Sequence, residues 1–110
     1  MIDKTIRKIQ DRIEKTDSID GDRKRELLGL IETLDKEVKA LSRTRREQAE
    51  SVARFAELVT HEATRRERDA SLVDASVKGL AASVQNFEVS HPRLVEIVNQ
   101  MCMTLADMGI

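Results

Sequence analysis

The sequence predicts an all-α protein: antiparallel helical hairpins in a coiled-coil-like bundle, elongated, with a long central helix. Three observations lead there. At seven-residue intervals the chain reads Ile31, Val38, Arg45, Val52, Val59, Arg66, Val73, Leu80 and Phe87, apolar at seven of the nine positions. Such a row is what a helix needs to bury one stripe along a partner. No proline precedes Pro92, so nothing covalent forbids helix up to His91. Charged residues make up 35% of the 110-residue chain and aromatic residues 2%, with Phe55 and Phe87 the only such rings. That composition suits helical hairpins better than a core built on aromatic area.

The first helix is expected over about residues 3–16. Ile2, Ile6, Ile9 and Ile13 share one face. Asp3–Arg7 and Asp11–Lys15 are acid-before-base pairs one turn apart. The helix ends in Thr16-Asp17-Ser18-Ile19-Asp20-Gly21-Asp22, where Ser18 and Asp20 are the N-cap candidates for the next helix. The second helix carries Leu27, Ile31, Leu34, Val38 and Leu41, with Leu28 and Leu30 widening the stripe. Glu32–Lys36 and Asp35–Lys39 support its outer face. The short turn between the two makes an N-terminal hairpin over 3–41.

Residues 42–70 read as a charged helical connector, with seven basic and six acidic side chains. Arg45 and Gln48 fall in the seam; Val52, Phe55 and Val59 restore it. After Val59 the second apolar row shifts by one residue to Ala63, Ala70, Val77 and Val84. Two readings stay open. One is a stutter in a continuous helix, whose rod from Asp22 to Phe87 would be roughly 100 Å long. The other is a break within 62–71, where Ser71-Leu72-Val73-Asp74 fits a capping box and Asp69 is a second candidate cap.

A C-terminal hairpin is expected over 71–110. Val73, Val77, Leu80, Val84 and Phe87 form one stripe, and Gly79 weakens the helix or admits a close neighbour. Glu88-Val89-Ser90-His91-Pro92 is the clearest stop and start, with His91 outside the helix and Pro92 in the first turn of the next. The last helix carries Leu94, Val98, Met101, Leu105 and Met108, and Val95, Ile97, Cys102 and Ala106 spread its apolar surface. Gly109 is the expected terminator, with Ile110 folding back. Residues 71–110 hold only two basic and four acidic side chains, so burial should be densest there.

Ser71-Leu72, then Asn86-Phe87-Glu88-Val89-Ser90-His91-Pro92-Arg93-Leu94, and the ending Leu105-Ala106-Asp107-Met108-Gly109-Ile110 resemble a small bacterial family catalogued as a domain of unknown function. Its members are short and helical, typically with Phe-Glu-x-x-His-Pro and a C-terminal Met/Leu-Gly-Ile. The resemblance is loose over 1–41 and good over 71–110, and 42–70 looks longer than in the shorter members. It implies a helical fold and a bacterial cytoplasmic setting, and it carries no activity, cofactor or catalytic residue.

The residues narrow function mainly by exclusion. A net charge of −1 makes no electrostatic case for nucleic acid or for an acidic membrane. Cys102 alone allows no intrachain disulfide. The N-terminus lacks an apolar signal region, and no run is long enough to span a membrane. The expectation is a cytoplasmic protein.

His61 and Glu57, one turn apart, offer half of a metal site, although a solvated His is the plainer reading. His91 fits a helix N-terminus and lacks a second catalytic group at reachable spacing. Met101, Cys102 and Met103 point about 100° apart on a helix, so they cannot all face one soft metal. Arg43, Arg45 and Arg46, and then Arg65, Arg66 and Arg68, form two basic clusters, nearly cancelled by Glu47, Glu50, Glu62, Glu67 and Asp69. Arg45 and Arg66 occupy seam positions, where a polar residue fixes register or oligomer state.

The preferred expectation is a non-enzymatic helical protein without cofactor. It would self-associate as a homodimer or higher bundle, or bind another helical protein, through Val77, Leu80, Val84, Phe87, Leu94, Val98, Met101, Leu105 and Met108. The alternatives are a metal- or ligand-binding bundle using His61 and Glu57, and peripheral membrane binding by the apolar last helix.

Overall fold

The Ile, Leu and Val stripes become buried helix faces in the computed structural model, which describes residues 2–108, while Gln48 and Phe55 of the expected seam lie exposed. The described residues form α1 (Ile2–Lys15), α2 (Gly21–Ser42), α3 (Arg46–Ala63), α4 (Ala70–Val84) and α5 (Pro92–Met108), with one 3-10 turn at Gln85–Phe87. Short connections alternate the helices up and down, and each packs on the next. Expected Gly109 and Ile110 lie outside the described residues.

The N-terminal hairpin follows its expected caps. Asp20 is the N-cap of α2, its side chain accepting from Arg23 N–H at 2.8 Å. Ile6, Ile9 and Ile13 bury against Leu27, Ile31, Leu34, Val38 and Leu41. Of the four acid-before-base pairs, only Asp35–Lys39 closes, at 3.0 Å. Lys39 also reaches Asp3 at 3.0 Å and ties the ends of the hairpin. That hydrogen bond holds the Asp3 carboxyl below its usual range, and the bonds to Asp3 and Asp35 raise Lys39.

The connector differs from the expectation. The helix breaks twice, at 43–45 and at 64–69, so the long rod is excluded and the molecule measures 37 × 24 × 22 Å rather than being elongated. At the first break Ser42 Oγ donates to Lys39 O at 2.7 Å and Thr44 Oγ1 to Leu41 O at 3.5 Å. Backbone N–H of Thr44 and Arg45 both turn back to Leu41 O. Hydroxyls that bond to the preceding turn compete with helix continuation. At the second break Asp69 is the cap, accepting from Ser71 N–H at 2.9 Å and Ser71 Oγ at 2.6 Å. Those bonds hold its carboxyl below the usual range. Arg45 and Arg66 are therefore loop residues, exposed at the two turns, and not polar seam residues.

Between the turns, α3 is the middle of the bundle and packs on α1, α2, α4 and α5. Its inward face is Ala49, Val52, Ala53, Ala56, Val59, Thr60 and Ala63. Small side chains let four neighbours approach one helix. Thr60 is the buried polar group there, and it satisfies itself by donating to Ala56 O at 2.8 Å. Burial is thus as dense in 46–63 as in the C-terminal hairpin.

Candidate functional site

Of the nine side chains expected at an interface, Leu80, Val84, Phe87, Leu94, Val98, Met101 and Leu105 are buried in the chain's own core. Val77 and Met108 are half-buried against it. The α5 stripe is covered by α2, α3 and α4, which leaves Met103 as its exposed large apolar residue, 69% exposed. A surface for self-association must use other residues. The same covering removes the apolar face that membrane binding by α5 required. Among the described residues no helix is long and apolar enough to cross a membrane.

Apart from Met103 and from Val89 at the α4–α5 turn, the exposed large apolar residues lie on α3 and α4. Phe55 (36% exposed) and Leu58 (42%) lie one turn apart on α3, and Leu72 (44%) lies on α4. The Phe55 ring rests on Gly79, where an added Cβ would come within 2.6 Å of it. The close neighbour expected at Gly79 is therefore a ring. Leu72 and Gly79 are two turns apart on one face of α4, so in the antiparallel pair Leu72 lies farther along the same seam, about one turn past Leu58. The three side chains make one strip along the α3–α4 seam.

His61 and Glu57 do come together. They line a small pocket of about 170 Å³ with Thr60 and with Lys8, Ile9 and Arg12 of α1. The cations beside them oppose a metal ion, and among the described residues no three His, Cys, Asp or Glu side chains converge. His91 sits at the α4–α5 corner, where its N–H donates to Phe87 O at 2.8 Å. Its ring stands edge-on to Phe87, centroids 6.0 Å apart at 86°.

Met101, Cys102 and Met103 diverge as the helix requires, the first two buried and the third exposed. Burial pushes the Cys102 thiol from its ordinary 9.0 up to about 11. The folded state therefore keeps a proton that the unfolded chain loses. This contribution is fully present below about pH 9 and is lost as pH rises toward 11. Alkylation by iodoacetamide at neutral pH should be slow in the native protein and fast in denaturant. Equal rates in the two would contradict the burial.

The two arginine clusters meet different fates. At one end, Arg46 shares a cleft with Asp3, Lys39 and Glu50, so its charge is opposed. At the other end, Arg65, Arg66 and Arg68 face α1 across an open cleft of about 750 Å³ that Lys8, Asp11, Arg12, Lys15 and Asp17 also line. Arg12 Nε donates to Thr64 Oγ1 at 2.8 Å, a bond across 52 residues of sequence. Arg65 pairs with Glu62 at 2.8 Å, and Arg68 donates to Met108 O. Sequence reasoning missed this grouping, because half of it lies on α1.

Residues 29–110 match a family described as Domain of unknown function (DUF4404). The match runs through both turns and α3 and leaves α1 outside it. No curated protein and no solved structure matches the chain.

Proposed function

The chain belongs to the DUF4404 family, a domain of unknown function, and from that premise we propose that it is a non-enzymatic helical interaction protein that self-associates through its α3–α4 strip. The observation that carries the reading is the exposure of Phe55, Leu58 and Leu72 together, on a chain whose other apolar stripes are covered. Clustered apolar exposure of this kind marks association surfaces. A second copy suits the strip for two reasons. Two antiparallel helices present similar surfaces when turned about a two-fold axis, the commonest symmetry of homo-oligomers. The α4 charges, Asp74 and Lys78, pair with each other at 3.0 Å and so leave no net charge to repel a turned copy. A cytoplasmic setting belongs to the same reading, supported by the unpaired Cys102 thiol; fractionation of the host cell tests it.

Sedimentation equilibrium across the micromolar range tests self-association. The wild type should dimerise, and Leu72→Glu should shift it to monomer with an unchanged helical spectrum. A wild type that stays monomeric throughout would overturn the reading and leave another helical protein as the strip's partner.

A further inference from the structure

We propose that the cleft between α1 and the α3–α4 turn is a binding site for a ligand bearing two or more phosphate groups. Six cations line it, Lys8, Arg12, Lys15, Arg65, Arg66 and Arg68, against two carboxylates, Asp11 and Asp17. That is a formal +4 for the lining residues, or +3 with Glu62, which pairs with Arg65, in a chain whose total is −1. Concave surfaces lined by one sign focus the field on what enters. The volume, about 750 Å³, lies in the range of small-molecule sites.

Helix ends account for part of this charge. The C-termini of α1, α3 and α5 gather at this end of the bundle, and cations complement them. Arg68 does so on Met108 O. Lys8 does not, since it lies two turns before the end of α1, beyond the reach of the terminal dipole. The side chains of Lys8, Lys15 and Arg66 make no hydrogen bond or ion pair with the described residues. Among the described residues no cation pairs with Asp11 or Asp17. The remaining three arginines are held in place, Arg12 by Thr64, Arg65 by Glu62 and Arg68 by the α5 carbonyl. The cleft thus combines three positioned guanidinium groups with three cations that lack a protein partner. Guanidinium forks suit phosphate oxygens, and groups already positioned lose little freedom on binding. A phosphate monoester carries about −1.5 to −2 charge, so about two phosphates match the site. No aromatic side chain lines the cleft, so the phosphates and not a stacked base are what it would recognise.

The test is isothermal titration calorimetry with inorganic triphosphate at physiological salt. A parallel arm uses flotation with phosphatidylcholine vesicles with and without phosphatidylinositol bisphosphate. Saturable binding of triphosphate, or capture only by phosphoinositide vesicles, supports the site and assigns the phosphate to a free or a lipid-borne source. The triple substitution Lys8→Gln, Lys15→Gln, Arg66→Gln should weaken binding by about tenfold or more. The same charge change at Lys4, Arg7 and Lys36, outside the cleft, should leave it within about twofold. Failure of both probes, equal loss in the two triple variants, or competition by a charge-matched polyglutamate peptide as strong as by triphosphate would overturn the proposal.

Discussion

Leu34→Ala should lower the unfolding free energy by about 3 kcal/mol, within the roughly 2–5 kcal/mol span for a buried leucine. Leu34 is fully buried, and its helix packs on α1, α3 and α5. A fully enclosed site relaxes only in part, so the cavity persists and adds to the lost transfer energy. Domains of this size have only about 5–15 kcal/mol in total, so the variant should unfold at clearly lower urea. Leu30→Ala, at a half-buried position on the same helix, should cost distinctly less. Urea titration followed by circular dichroism measures both, and a loss below about 1 kcal/mol for Leu34→Ala would contradict the packing described.

Ala56→Leu tests the middle of the bundle from the opposite direction. Ala56 is fully buried on the face that α3 turns inward. Three added carbons have no space and must displace a neighbouring helix, at a cost of about 1–3 kcal/mol. For a domain this size that lowers Tm by roughly 10 °C. Ala40→Leu, exposed on α2, should leave Tm nearly unchanged. A thermal melt of the two variants decides it; an Ala56→Leu protein that melts like the wild type would mean that α3 is not closely surrounded.

Where the sequence offers cap candidates or a proline, the structure uses one of them. Asp20-Gly21 opens α2, Asp69 caps α4, and Pro92 opens α5. The turn at 43–45 has no such marker. It has neither glycine nor proline, and only the hydroxyls of Ser42 and Thr44 compete with the helix. The seven-residue row stays in phase across both turns, so it read as one stripe although three helices share it. Arg45 and Arg66 interrupt that row because they sit where the helix ends. The inward face of α3 is legible only in Val52, Val59 and Ala63, because the rest is alanine and threonine, which contribute little to an apolar pattern, and because charged neighbours dominate its segment. A charged connector at 42–70 would leave the C-terminal stripes free for an interface, whereas α3, with α2, covers them within one chain. The basic cleft was invisible for a different reason. Its halves lie about 50 residues apart in the chain, and each is nearly neutralised by its own sequence neighbours.

The place of α3 also governs how the chain can fold. The helix touches both the α1–α2 pair and the α4–α5 pair, so neither pair has a finished core until α3 docks. Most neighbours in the bundle are neighbours in sequence, which favours fast folding, but α2 meets α5 only after the whole chain has closed. Halves cut at 64–69 would separate α3 from two of the helices that cover it. The molecule should therefore gain and lose its structure as a single cooperative unit, with formation of α3's alanine face as the step on which both ends wait.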